Sequence, residues 1–226
     1  MTTEVRPELP EGYLGAQPKF SELGMSTDSH PDPEIEIKDN KVEITLKYTK
    51  PVKITHQLIN TRTEADLADY VFVQTNSADQ KISLVVHMPE SDFYKLQIFA
   101  LPLTDESKSL PNVFNYLIHC ARVNNPVYPF PKQYAQWKEG CYIKEPVVLN
   151  SHSKLTNIKW KVRIPNAKNV AVVADGEWHH FEKKDDGNWE ASFSLDKLRG
   201  KDAKVTLNGN FGDDESKYST LLEYKI

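Results

Sequence analysis

Apolar and polar residues alternate strictly over residues 42–49, and that period of two, which returns along the chain, decides what it can become. Val42, Ile44, Leu46 and Tyr48 are interleaved with Glu43, Thr45, Lys47 and Thr49. Successive side chains of an extended strand point to opposite faces, so this pattern wets one face of a sheet and buries the other. The same alternation returns at Ile82, Leu84, Val86 and Met88, at Tyr94, Leu96 and Ile98, and at Phe114, Tyr116, Ile118 and Cys120. Polar breakers separate these runs: Asn40, residues 76–79 (Asn-Ser-Ala-Asp) and residues 89–92 (Pro-Glu-Ser-Asp) have turn chemistry. Weaker strands at residues 52–58 and 70–74 bring the set to about seven, the count of an immunoglobulin-like sandwich. No segment carries a helical period over three turns. A first β-sandwich is therefore expected over residues 19–123. Residues 1–18, polar and carrying Pro7, Pro10 and Pro18, read as a mobile leader.

Residues 124–140 (NNPVYPFPKQYAQWKEG) combine prolines with closely spaced aromatics, which no regular ladder tolerates. They read as a linker in which Tyr128, Phe130, Tyr134 and Trp137 pack between domains, with Trp137 plugging the joint. Alternation resumes beyond it. Ile158, Trp160, Val162 and Ile164 oppose Asn157, Lys159, Lys161 and Arg163, and further strands are expected at residues 170–174, 177–182, 189–195, 203–208 and 217–226. Asp185-Asp186-Gly187 supplies a hairpin turn. The fold class is thus all-β: two immunoglobulin-like sandwiches in tandem, the second over residues 141–226. A length of 226 residues suits two such domains of about 100 residues each.

Charge and composition narrow the function. A net charge of -4 leaves no global footprint for nucleic acid. No run approaches the roughly 18 apolar residues of a membrane helix. The N-terminal residues have no basic region followed by an apolar one, so no secretory signal is read there. Two cysteines, Cys120 and Cys141, are too few for a disulfide scaffold, and no Asn-x-Ser/Thr acceptor occurs. The expected location is cytoplasmic, with both thiols reduced and neither membrane nor nucleic acid as partner.

Chemistry-bearing constellations are sparse. Cys120 ends the inward side of a strand and Cys141 follows Gly140; neither sits beside a histidine base. Of seven histidines only His179 and His180 are neighbours, and adjacent strand residues point apart, so no metal site is expected. There is no CxxC, HExxH, phosphate loop or GxSxG, and no cofactor is expected. Two features remain. Lys159, Lys161 and Arg163 form a basic stripe on one strand face, suited to an acidic partner or simply solvated. Residues 170–195 place Trp178 at a strand tip with His179 and His180 beside it, and Trp189 follows the turn. An exposed Trp178 could stack on a pyranose ring, or Trp178 and Trp189 could be packing partners across strands.

Several stretches together resemble a known family. Residues 20–24 (FSELG), Ser29-His30-Pro31, residues 42–46 (VEITL), residues 94–100 (YKLQIFA) and residues 115–118 (NYLI) are similar to the region following the transglutaminase-like core in the kyphoscoliosis peptidase and hillarin family. So are the linker residues 128–131 (YPFP), Gly140-Cys141, Glu145-Pro146, residues 162–167 (VRIPNA), residues 177–182 (EWHHFE) and Trp189-Glu190. The resemblance covers residues 19–226, and no stretch corresponds to that family's Cys-His-Asp catalytic core. It implies an accessory, non-catalytic region, and the family's cytoskeletal association implies a protein partner. Met1 and the short leader are expected to mark a separate protein. The leading expectation is a cytoplasmic interaction or structural module contacting its partner through Trp178, His179, His180, Lys159, Lys161 and Arg163. The alternatives are a carbohydrate-binding module using Trp178, a binder of a small ligand in the cleft between domains, and a degenerate peptidase or crosslinking enzyme using a cysteine.

Overall fold

A computed structural model describes residues 4–226. The chain divides into two compact units with the boundary between Pro129 and Phe130. Each is a β-sandwich.

In the first unit β1 (Gly15–Ala16), the short helix α1 (Pro18–Glu22), β2 (Met25–Thr27), β3 (Glu34–Ile37), β4 (Lys41–Tyr48), β5 (Val52–Asn60), β6 (Val71–Asn76), β7 (Lys81–His87), β8 (Asp92–Pro102) and β9 (Asn112–Cys120) follow in order. One sheet runs β2-β4-β7-β6 and the other β1-β9-β8-β5, with β3 parallel to β9 along the half of its edge that β1 leaves open. The alternating residues behave as their period requires. Ile44, Leu46, Ile82, Leu84 and Val86 of one sheet and Tyr94, Leu96, Ile98, Tyr116 and Ile118 of the other are fully buried in a single core. Each such aliphatic side chain is worth about 1.5–3 kcal/mol on burial. Phe20 of α1 closes one end, its ring edge-on to Phe114 at 5.1 Å.

The expected leader differs. Residues 1–3 lie outside the described residues, but residues 4–18 lie against the sheet. The Asn115 side-chain amide donates to the Tyr13 carbonyl at 2.8 Å, β1 pairs with β9, and Arg6 Nε donates to Glu34 at 3.0 Å. Glu4 Oε2 is 2.5 Å from His119 Nε2, and Glu36 Oε1 is 2.6 Å from Nδ1 of the same ring. These attachments use isolated polar contacts and a two-residue strand, which have no period to read.

The second unit contains β10 (Lys132–Gln133), β11 (Tyr142–Glu145), β12 (Ile158–Arg163), β13 (Asn169–Ala174), β14 (Glu177–His180), β15 (Glu182–Lys183), β16 (Trp189–Phe193), β17 (Lys204–Asn210) and β18 (Ser219–Lys225). Its sheets run β10-β18-β17-β13-β14 and β11-β12-β16-β15. Trp160, expected in the core, is 1% exposed, with its ring 5.6 Å from Phe193, 5.5 Å from Tyr224 and 6.0 Å from Phe181. Tyr224 belongs to the sheet opposite Trp160, so these rings join the two layers.

Much of the expected linker is part of this unit. Lys132 and Gln133 pair with β18, Tyr134 donates through its hydroxyl to Glu223 at 2.8 Å, and Trp137 is buried in a 3-10 turn over Ala135–Lys138. Phe130 is buried and Tyr128 half-buried. Asn124 and Asn125, by contrast, are tied to the first unit: Asn125 accepts at its carbonyl from the Asn40 side chain at 2.9 Å. The segment expected over residues 177–182 is two strands, because the chain changes sheet at Phe181. That residue is buried and its N–H donates to the Val170 carbonyl at 2.9 Å.

Candidate interaction surface

The alternation that builds the second sandwich also decides which side chains share a surface. On β12, Ile158, Trp160 and Val162 face the core, so Lys159, Lys161 and Arg163 face out from their sheet. Lys161 Nζ lies 3.8 Å from Asp186 Oδ2, and Arg163 donates to the Asp186 carbonyl at 3.3 Å. Part of the basic stripe is thereby committed to its own hairpin turn. Asp186 is held below the usual carboxylate range first by the Asn188 backbone and side chain, and to a smaller extent by these two cations.

Trp178 and His180 lie on the outer face of the other sheet. Their ring centroids are 5.9 Å apart at 19°, and Trp178 remains 48% exposed. His179 points the other way, as its neighbour on a strand must, and stacks on Phe193 at 4.1 Å and 9°. The six expected contact residues therefore do not form one patch. Trp178 and His180 stand together, His179 packs toward the opposite layer, and the basic stripe occupies the outer face of the second sheet.

A residue outside the expected set joins the aromatic pair. Tyr218 stands edge-on to Trp178 at 4.9 Å and 66°. It comes from the loop between β17 and β18, which Asn210 holds from below: the fully buried Asn210 amide donates to the carbonyls of Asp214 and Lys217, each at 2.7 Å. Gly209 lies at the base of this loop, where a Cβ would come within 2.8 Å of the Phe211 ring and force that ring to shift. Nothing in the sequence pattern marks Tyr218, because its position depends on a loop fold fixed by a buried side chain rather than on strand alternation.

The thiols lie in apolar surroundings. Burial pushes Cys120 up to about 11 and Cys141 up to about 12. Cys120 donates to the Asp39 and Arg122 carbonyls and Cys141 to that of Gln136. A nucleophilic cysteine needs the reverse, an electropositive site that favours thiolate. Among the described residues no cluster of histidine, cysteine and carboxylates has metal-binding geometry, and no helix is long and apolar enough to cross a membrane. An open depression of about 660 Å³ in the first unit is lined by Glu4, Val5, Thr61, Arg62, Glu90 and Asp92. Its one guanidinium is already paired with Asp92 at 2.8 Å and Glu90 at 3.0 Å.

Comparison with known proteins agrees with this architecture. Residues 7–131 match the model of the KY-like, immunoglobulin-like domain. The chain is 27% identical over 215 residues to kyphoscoliosis peptidase of Homo sapiens, and 27% identical over 215 residues to that of Mus musculus. Each alignment takes in 92% of this chain but only 31% of the relative, so the chain spans about a third of the length of the curated proteins it matches. The matched domain occupies more than half of the 226 residues and coincides with the first sandwich, and on that ground the chain belongs to the KY-like, immunoglobulin-like domain family.

Proposed function

We propose that this chain is a non-catalytic protein-interaction module of a cytoplasmic, cytoskeleton-associated protein, and that it engages its partner through the outer face of the sheet ending in β14. One observation carries the reading: Trp178, flanked by His180 and Tyr218, is left 48% exposed in a unit whose other tryptophans are buried. Tryptophan is the residue most enriched among binding hot spots, and leaving one in water is costly without a partner. Buried, unactivated thiols support the non-catalytic part.

The test is a pull-down from native lysate with the full chain, Trp178→Ala and Lys159→Ala, read by mass spectrometry. Proteins retained by wild type and Lys159→Ala but lost with Trp178→Ala are the expected result. Retention that Trp178→Ala leaves unchanged would remove the surface, and no retention above background would remove the interaction reading. The exposed indole face also favours carbohydrate as a second reading, since it could stack on a pyranose. Co-sedimentation with insoluble glucans that depends on Trp178 would select that one.

A further inference from the structure

The edge of the sheet beneath Trp178 carries more information than its side chains. Strand β14 pairs only with β13 and ends its sheet. In an antiparallel ladder, residue pairs alternate between those that exchange hydrogen bonds and those that do not. Phe181 N–H donates to the Val170 carbonyl, so the bonded pairs further along are Val172–His179 and Ala174–Glu177. The pairs Ala171–His180 and Val173–Trp178 are the unbonded ones. The backbone N–H and C=O groups of Trp178 and His180 consequently point away from β13, toward the open edge. The two residues that present aromatic rings on the sheet face also present free main-chain donors and acceptors along its border.

Two of the other sheet edges are blunted, while β6, paired with β7 at the end of its own sheet, is a second open edge but carries no exposed aromatic pair. In β10 only two residues pair, immediately after Pro131. Along β5 the chain folds back, with Leu67 N–H donating to the Leu58 carbonyl at 2.6 Å and Ile59 bridging Asp66. Such covering is how sheets avoid unwanted pairing. Among the described residues no return segment pairs along β14 in this way.

Charge selects what could pair there. Residues 175–190 carry six carboxylates against two lysines, and one of those lysines, Lys184, is tied to Glu182 at 3.0 Å. Glu177 on the strand itself is 81% exposed, and the loop holding Tyr218 adds Asp213, Asp214 and Glu215 against Lys217, with Asp213 paired to Lys168 at 2.6 Å, so the balance of the rim stays acidic. Pairing with β14 of a second copy would oppose two acidic rims. Cations, by contrast, are attracted both to the carboxylates and to the face of an indole.

Resting on the interaction reading above, we infer that β14 accepts an extended, arginine- or lysine-bearing segment of a partner protein as an added strand. Main-chain bonds form to Trp178 and His180, and a basic side chain lies over Trp178. Addition of this kind obtains affinity from the main chain and selectivity from alternate side chains.

The experiment uses the full chain and three capped heptapeptides: one alternating arginine with threonine, its glutamate counterpart, and the arginine peptide N-methylated at its arginine amides. N-methylation keeps the charge and removes the N–H groups that would face β14. Binding is read by amide NMR shifts and by hydrogen exchange at Trp178 and His180. The arginine peptide is expected to bind, to slow exchange of those two amides at least about tenfold, and to weaken with added salt. The N-methylated peptide should bind at least about tenfold more weakly and the glutamate peptide not measurably. Trp178→Ala should weaken the arginine peptide, and His180→Pro, which deletes an outward N–H, should abolish its binding.

Equal binding of the arginine peptide and its N-methylated form would overturn strand addition on wild-type protein alone, whatever happens to the folding of His180→Pro. Binding of the glutamate peptide would overturn the charge selection. If no peptide binds while Trp178→Ala still releases protein in the pull-down, this inference fails and the interaction module stands. If neither occurs, both fall.

Discussion

Trp160 and Trp178 lie on facing sheets of one sandwich, and truncating them should have unequal consequences for stability. Trp160 is 1% exposed and enclosed by Phe193, Tyr224 and Phe181. Burying an aromatic side chain removes about 150–250 Å² from water, which at about 25 cal/mol per Å² comes to about 4–6 kcal/mol as an upper figure. Measured aromatic-to-alanine changes in cores cost about 3–5 kcal/mol. About 4 kcal/mol is therefore expected for Trp160→Ala. In a unit of this size each kcal/mol moves Tm by about 4–8 °C, so the transition should fall by about 15 °C or more. Trp178→Ala, removing a ring already half in water, should cost about half as much, about 2 kcal/mol. The assay is built into the sequence: Trp137, Trp160, Trp178 and Trp189 all lie beyond the unit boundary, so fluorescence excited selectively through tryptophan reports the second unit alone. Thermal melts and urea titrations of the two variants beside wild type would decide. Equal losses for both variants would mean that Trp178 belongs to the core and that the surface argument is unsound. A loss under about 1 kcal/mol for Trp160→Ala would mean that the inter-sheet ring cluster contributes little.

Three further outcomes are expected. At pH 8 a disulfide reagent should label Cys120 about a hundredfold, and Cys141 about a thousandfold, more slowly than in urea-unfolded chain, given values near 11 and 12 against an ordinary 9.0; faster labelling than in urea would revive a catalytic thiol. Burial lowers His119, but the Glu4 and Glu36 carboxylates outweigh it and raise its pKa overall. Its contribution to stability is then complete below the unfolded value and lost as pH rises through the folded one, so its NMR titration midpoint should exceed about 6.5 and drop in Glu4→Gln; a midpoint at or under that value would mean that the Glu4 and Glu36 contacts do not hold the ring. Gly24→Ala should destabilise the first unit by roughly 2 kcal/mol or more, because φ is +74° and the new Cβ would lie 2.2 Å from Thr49 Oγ1; limited proteolysis and a tyrosine-based melt should register the loss, and an unchanged melt would contradict it.

Strand content was legible wherever one face is wet and the other dry. Ile44, Leu96 and Trp160 are core residues whose neighbours in sequence are polar on both sides, which is the pattern that marks them. The strands at residues 52–60 and 71–76 were weaker signals: Phe72 and Gln74 are buried beside Val71 and Val73, so β6 does not alternate cleanly. Attachment of residues 4–18 and the incorporation of Lys132, Gln133 and Trp137 into the second unit escaped because short pairings and proline-rich coil carry no period. At the surface, alternation correctly set Lys159, Lys161 and Arg163 outward. It could not say that their sheet and that of Trp178 turn their outer faces in different directions, since sheet assignment is a matter of topology. The exposure of Trp178 and the approach of Tyr218 are likewise tertiary facts, the second resting on the hydrogen bonds of Asn210.

The crossing at Phe181 has a mechanical meaning. The chain leaves β14 on one sheet and enters β15 on the other with a single buried residue between them. Tension applied along β14 does not stop at its ladder with β13. It passes through the Phe181 anchor into the opposite layer, so the two sheets cannot be peeled apart from this edge until that ring is drawn out of the core. A pull delivered there is shared by both layers.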